Sequence, residues 1–230
     1  MEKNKIISDI RVFKSVIDNI DGNSMPSSLG CKEQNIVVRR IVMKLRENGF
    51  SLGDFDHLYV NMTTCLEAGE IVPAKRSIDR YHPWYRFYDV GIPQGEYDLL
   101  EKETCIPVVV ECLKQVLMKY FASNEALEMM IGESIKEAVE QGENMLMRFK
   151  EKKAAKCSAI LFLRLLDNGL YKPLLCVRDI DGRELLREDL AETSDLSSLG
   201  ELQLSSKKVT VKPRKNAFTK DREPITFELE

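Results

Sequence analysis

The chain has 230 residues, of which 43% are hydrophobic and 31% are charged, and its formal net charge is −3 at pH 7. This composition is typical of a folded globular protein, and the small negative charge excludes a global attraction to nucleic acid or anionic lipid. A chain of this length can bury one substantial core, so we predict a single domain over 1–230, with a helix-rich part over 1–152 and a β-rich part over 153–230.

The cysteine and histidine content indicates neither a disulfide framework nor a metal site. The six cysteines are scattered without a C-x-x-C pair, and two histidines are too few to complete a usual zinc set. We therefore expect free thiols, no metal and no cofactor. The N-terminus lacks the apolar run of a signal peptide, and no run of about 18 apolar residues occurs. These features favour a cytoplasmic protein with no membrane segment.

Apolar residues that recur every three or four positions predict helices over 5–20 and 33–47. In the first helix these residues are Ile6, Ile10, Phe13, Ile17 and Ile20. The second helix carries basic residues that we expect to point largely outward, namely Lys32, Arg39, Arg40, Lys44 and Arg46. We interpret this basic face as solvated surface, because lysine and arginine are the usual cover of exposed helix positions.

Residues 55–92 change from helical to extended character. Aromatic and β-branched residues without a helical phase predict strands over 55–66 and 85–90. The connection between the two strands is long for a hairpin loop, and long loops are often functional.

Two more helices are predicted over 107–121 and 125–152, because apolar residues recur with helical spacing along one face of each. We expect them to form an antiparallel pair that is hinged at residues 122–124.

The last third of the chain has mostly strand character. Asn168-Gly169 is the strongest hairpin signal, because a type I′ turn needs positive φ at both central residues. The acidic segment from Glu184 to Leu204 is predicted to be a short helix plus a mobile loop, with 184–206 as the mobile segment. The remaining predicted strands are 158–166, 170–179, 208–212 and 225–229, the last two as edge strands.

This order of elements predicts an α+β fold, in which a mostly antiparallel sheet packs against about four α-helices. We expect that one sheet to combine the strands of 55–92 with those of 158–229. Runs of helices and strands in this order argue against a doubly wound parallel sheet.

The densest group of interface-type residues lies between Arg80 and Gly91, which holds the only Trp and three of the seven Tyr. Aromatic rings and arginine are the typical anchors of protein interfaces. No catalytic or nucleotide-binding motif accompanies this segment, so we expect a non-enzymatic module that binds another protein. The residues predicted to bind the partner are Tyr81, Trp84, Tyr85, Arg86 and Tyr88.

A polar site is the first alternative. His57 and His82 lie in the two halves of the 55–92 region, and the carboxylate of the site could come from Glu70 or Asp79, or from Glu67 or Asp89. If the two strands pair, these groups could form a metal-dependent hydrolase site. Cys65 beside either histidine is the one nucleophile and base pairing with proximity in sequence.

Nucleic-acid binding is the second alternative. Residues 207–222 hold seven basic residues against the single acid Asp221, and the basic face of the 33–47 helix could add to them. We favour a plainer interpretation, in which lysines on exposed strand edges prevent aggregation, so nucleic acid is not the expected partner.

Two segments resemble uncharacterised bacterial proteins. They are His57-Leu-Tyr-Val-Asn-Met-Thr-Thr and Tyr81-His-Pro-Trp-Tyr-Arg-Phe-Tyr-Asp-Val-Gly. Some of those proteins resemble immunity proteins of polymorphic toxin systems. The resemblance implies a cytoplasmic bacterial inhibitor or immunity-like protein. It covers a small part of the chain and transfers no functional residue.

Overall fold

The computed structural model describes residues 4–16, 27–74, 83–217, 219 and 221–229. The chain divides into two compact units, Met1–Gly142 and Glu143–Glu230, and buried side chains form a core in each. The predicted single domain over 1–230 stays a prediction. No helix in the described ranges is long and apolar enough to cross a membrane.

The first unit combines a mixed sheet with α-helices. Its elements in chain order are β1 (Lys5–Ile6), β2 (Asp9–Ser15), β3 (Ser27–Ser28), α1 (Lys32–Glu47), β4 (Ser51–Gly53), β5 (His57–Thr63), β6 (Ile71–Pro73), β7 (Tyr85–Gly91), α2 (Gln94–Tyr97), α3 (Ile106–Phe121) and α4 (Glu125–Gln141). The main sheet has the order β3-β2-β5-β7-β6, while β1 and β4 form a separate pair. The three central strands β2, β5 and β7 are parallel, and the two outer strands are antiparallel to their neighbours.

One face of this sheet is covered by helices. Leu58, Val60 and Met62 alternate along β5 and are fully buried on that face. Tyr88 is the register partner of Val60, and its ring packs 4.7 Å from that of Tyr120 on α3. Helix α1 contacts β2, helix α3 contacts β5 and β7, and α4 packs against both of these helices. The other face, called here the second face, carries the odd-numbered residues of β2, β5 and β7.

The second unit consists of two antiparallel sheets. Its strands are β8 (Met147–Lys153), β9 (Cys157–Leu165), β10 (Tyr171–Asp179), β11 (Glu184–Asp189), β12 (Glu201–Leu204), β13 (Lys208–Lys212) and β14 (Ile225–Glu228). One sheet has the order β11-β10-β9-β8 and the other β12-β13-β14. Ala159, Leu161 and Leu163 alternate along β9 and are buried, and β12 lies against β8 and β9. The α-helix predicted after Glu184 is wrong, because the 184–206 segment contains the strands β11 and β12 and one 3-10 turn, Leu196–Leu199.

The hairpin at Asn168-Gly169 is confirmed, although its turn differs from the expected one. Gly169 has a φ of 87°, and Asn168 does not have a positive φ. The Gly169 amide donates to Leu166 O, and the Leu166 amide donates to Leu170 O, both at 2.9 Å. This is a three-residue loop, in which a turn is followed by a left-handed glycine.

The helix predicted over 5–20 is wrong, because Lys5–Ile6 and Asp9–Ser15 are strands. Residues 17–20 lie outside the described part of the chain. Ile10 and Val12 are buried on the helix-covered face, while Phe13 is buried on the second face. A strand that buries residues on both faces can imitate helical spacing over one or two turns.

The helix predicted over 125–152 is correct only as far as Gln141. Gly142 has a φ of 54°, which an α-helix cannot continue through, and a 3-10 turn follows. Met147–Lys153 then forms a strand that pairs with β9. The helices predicted over 33–47 and 107–121 are confirmed to within one residue at each end.

The mixture of helices with mostly antiparallel strand pairs is confirmed, but the prediction of one sheet is wrong. The strands of residues 55–92 and those of 158–229 belong to different sheets. The pair formed by β5 and β7 is parallel, not antiparallel. Likewise, β13 was expected at an edge and lies between β12 and β14.

Candidate functional site

Side chains along β7 point alternately to the two faces of the sheet, which separates the residues that were predicted to bind a partner. Tyr85 lies on the second face, whereas Arg86 and Tyr88 lie on the face covered by helices. The Tyr88 ring packs against Tyr120 and Phe121. Trp84 is half-buried just before the strand, and Tyr81 lies outside the described residues. The four described members of the predicted set therefore do not form one surface.

Arg86 stabilises the local backbone. Its Nη1 donates to the carbonyl oxygens of Pro83 and Tyr85, both at 2.9 Å. Its Nη2 lies 3.1 Å from Asp54 Oδ2, and its guanidinium carbon lies 5.1 Å from the centre of the Phe55 ring. These contacts tie the turn before β7 to the segment before β5.

Aromatic side chains pack together on the second face. Phe13, Tyr59 and Phe87 form a buried cluster, and Tyr85 and Ala74 pack against it. The Tyr59 and Tyr85 rings are stacked, with centres 4.9 Å apart and planes 17° apart. The Arg11 guanidinium carbon lies 5.6 Å from the Tyr59 ring centre. Burial raises the pKa of the Tyr59 hydroxyl, so this tyrosine is neutral at pH 7.

Charged side chains lie beside this stack, at the end where the parallel strands begin. The strand register places Asp9, His57 and Tyr85 side by side. Asp9 Oδ2 accepts from Arg11 Nε at 2.8 Å, and this hydrogen bond raises the pKa of Arg11. His57 Nδ1 lies 2.7 Å from Asp56 Oδ1. We call these five residues the amino-edge surface. The Arg11 side chain is 60% exposed, while Asp9, Asp56 and His57 are between 23% and 29% exposed.

A buried polar pair lies further along the second face. Asn61 Nδ2 donates to Asp89 Oδ1 at 2.8 Å, and both residues are almost completely buried. The register places this pair between Phe13 of β2 and Val72 of β6. A hydrogen bond between buried polar groups fixes the alignment of two strands, because leaving either group unmatched is costly.

The polar site proposed from the sequence is not assembled among the described residues. His57 lies where β5 begins, whereas the Glu70 carbonyl accepts from the Gly91 amide, where β7 ends. Six residue steps along a strand separate those positions by roughly 20 Å. Asp79 and His82 lie outside the described residues. In the described ranges, no group of three or more His, Cys, Asp or Glu could hold a metal ion.

Cys65 and His57 are separated in the same way, because Cys65 follows the end of β5. The Cys65 thiol donates to the Val16 carbonyl at 3.0 Å. A nucleophile must lie within hydrogen-bond reach of its base. Cys65 and His57 lie beyond that reach, because they are at opposite ends of β5.

In the two basic regions, residues 207–222 and helix α1, several basic side chains lie opposite acidic residues or are buried. On the second unit, Lys212 lies opposite Glu201 and Lys208 lies opposite Glu228 in neighbouring strands. On α1, the prediction that the basic residues point outward is wrong for Arg40 and Lys44, which are 4% and 8% exposed. Their spacing continues the apolar stripe of α1, which makes them part of its packed face.

Asp9, Arg11 and Asp56 were not singled out from the sequence. The two residues on β2 were hidden because helical spacing was assigned to that segment. Asp56 lies inside the predicted strand over 55–66, and its position beside Trp84 follows only from the parallel pairing. An Asp-x-Arg pair in alternation with Ile10 and Val12 is the signal that a strand interpretation would have revealed.

Comparison of the chain with protein-family models, with curated proteins and with solved structures finds no match. The function is therefore inferred from the geometry of the described residues.

Proposed function

We propose that this protein binds a partner protein through the amino-edge surface and acts without catalysis. The observation that carries the proposal is that two residues of this surface, Arg11 and Tyr85, both pack against the buried Tyr59 ring on the second face, and we call these three residues the stack. Tyrosine and arginine are enriched among the residues that dominate binding energy at protein interfaces.

The stack is supported on two sides before any partner arrives. Tyr59 and Tyr85 rest on the Phe13 and Phe87 rings, and Arg11 is held by its ion pair with Asp9. Few side chains of this surface then lose rotamer freedom when the partner binds, which lowers the entropic cost of association. The alternating signs of Arg11, Asp9 and Asp56 favour a partner surface of complementary alternating charge.

We further propose that the partner is a toxin-like enzyme and that the complex forms in the bacterial cytoplasm. This step rests on the resemblance of segments 57–64 and 81–91 to immunity-like bacterial proteins. An inhibitor of this type abolishes the activity of its partner when it is added in equimolar amount. Loss of the partner's activity at that ratio supports the proposal, and full retained activity contradicts it.

The binding surface can be tested by affinity capture from the source cell. The wild-type chain is expected to retain one partner in stoichiometric amount. Arg11→Glu reverses the charge of the exposed end of the stack and is expected to lose that partner. Lys136→Glu makes the same charge change on the exposed face of α4 and is expected to keep it.

Two results would count against this function. The wild-type chain could retain no stoichiometric protein, or it could retain one that Arg11→Glu and Lys136→Glu keep equally well. Circular dichroism of both variants verifies that each has the wild-type secondary structure.

A further inference from the structure

A pocket of about 370 Å³ lies in the first unit where the parallel strand β7 ends. Val90 and Ile92 supply one apolar wall, and Pro107 and Val108 at the start of α3 supply another. Pockets of this size are within the range that holds small ligands. In sheets with parallel strands, ligands commonly bind outside the carboxyl ends of those strands.

The rim of the pocket is set by a close crossing of the chain. The Gly69 amide donates to Gly91 O at 2.9 Å, and the Gly91 amide donates to Glu70 O at 2.8 Å. A Cβ atom at Gly91 would overlap the Glu67 carbonyl. The rim backbone therefore has little freedom to collapse into the pocket.

The polar lining of the pocket is acidic. Glu96 of α2 and Glu111 of α3 contribute exposed carboxylates, and Gln115 Nε2 donates to Glu111 Oε1 at 3.0 Å. Among the described residues that line the pocket, none is Lys, Arg or His. The local potential is therefore negative.

A buried thiol forms part of the pocket wall. Cys112 lines the pocket, is 6% exposed, and makes no side-chain hydrogen bond within the described part of the chain. Burial, together with the charges of Glu96 and Glu111, raises the pKa of this thiol to about 12. The thiol is therefore neutral at pH 7, so it adds an uncharged wall to the pocket.

We propose that this pocket binds a small organic cation, in which a primary ammonium or guanidinium group is carried on a short hydrocarbon chain. The Glu96 and Glu111 carboxylates accept charge-assisted hydrogen bonds from the cation, and the valine, isoleucine and proline walls cover the hydrocarbon. The site lies at the opposite end of the strands from the amino-edge surface. It therefore does not depend on the proposed partner binding.

The first test is NMR titration of the full chain with n-butylammonium, with butyrate and n-butanol as anionic and neutral controls. We expect n-butylammonium to shift the backbone amides of Gly69, Gly91, Glu111 and Cys112 in a saturable manner. Butyrate and n-butanol are expected to bind more weakly by roughly tenfold or more, because they lack the charge-assisted hydrogen bonds. Equal binding of the three probes, or no saturable shift at these amides, overturns the proposal.

The second test uses two double variants with the same change in net charge. Glu96→Gln with Glu111→Gln removes the pocket carboxylates, and Glu133→Gln with Glu140→Gln removes two exposed carboxylates from α4. The pocket variant is expected to weaken n-butylammonium binding by roughly tenfold or more, and the α4 variant to leave it unchanged. Equal weakening by the two variants would show a nonspecific charge effect and would overturn the proposal.

Discussion

At the scale of single residues, Gly91 shows how the absence of a side chain allows two segments of the chain to cross closely. It is the last residue of β7, and the 64–70 loop crosses directly over it. The space that a Cβ would need is filled by backbone and by the Leu66 side chain. Any larger residue must displace the loop.

We therefore predict that Gly91→Ala lowers the free energy of unfolding by about 1–3 kcal/mol, the range for forcing extra atoms into a packed site. Gly95→Ala is the matched control, because its Cβ would meet open space in α2. That control is expected to change stability by less than about 0.5 kcal/mol or to raise it slightly. Urea unfolding measures the free energy of unfolding of both variants. Similar losses of stability in the two would contradict the close approach of the 64–70 loop to Gly91.

The environments of the six cysteines also lead to a prediction. Cys65 is exposed, and the other five are buried. Only Cys65 should therefore react quickly with a chromogenic disulfide reagent in the native protein, and all six should react after denaturation. Cys65→Ser should abolish the fast phase. A fast phase that persists in this variant would show that a buried thiol is more accessible than the structure indicates.

At the scale of elements, an ion cluster connects α1 to α4. Lys44 Nζ lies 2.8 Å from Glu47 Oε2 and 2.7 Å from Glu137 Oε1, and the lysine side chain is 10% exposed. Burial alone would lower the pKa of Lys44, but the hydrogen bonds to Glu137 and Glu47 raise it above its ordinary value. Lys44 thus stabilises the folded state in its charged form.

Lys44→Met is expected to lower the free energy of unfolding by about 1.5–3 kcal/mol near neutral pH, the range for hydrogen bonds to charged groups. Because the pKa is higher in the folded state, this stabilisation is fully present below the unfolded value of about 10.5. It is lost as pH rises through the folded pKa. The difference between wild type and variant should therefore be constant from pH 7 to about 9 and shrink above about 10.5. Lys136→Met on the exposed side of α4 is the control, and an equal loss there would contradict the role of Lys44.

Local sequence patterns predicted those helices and strands whose apolar spacing arises from a single apolar face. The helices at 33–47 and 107–121 have one apolar face, and the strand at 208–212 alternates cleanly, so their boundaries agree closely with the structure. The segment at 5–20 failed because Ile10 and Phe13 are buried on opposite faces of one sheet. The helix at 125–152 was extended too far because Gly142 ends α4, while apolar residues continue at helical spacing into β8.

At the scale of the whole molecule, strand pairing lies beyond what local patterns specify. The β2–α1–β5 crossover makes the centre of the first sheet parallel, and it was hidden once β2 was assigned as a helix. Strand pairing also determines which residues come together in the candidate site. Tyr85 was predicted from its segment alone, but Asp9 and Arg11 of the same surface come from a strand more than 70 residues away in sequence, on the other side of β5.

The binding of a partner at the amino-edge surface is tested most directly by the dissociation constant of the captured complex, measured calorimetrically for wild type, Arg11→Glu and Lys136→Glu. Residues that dominate an interface contribute about 2 kcal/mol or more, which corresponds to roughly thirtyfold in the dissociation constant. We expect a weakening of at least that size for Arg11→Glu and of less than about twofold for Lys136→Glu, since changes away from an interface have little effect on binding. A dissociation constant that is the same for Arg11→Glu as for Lys136→Glu would contradict it.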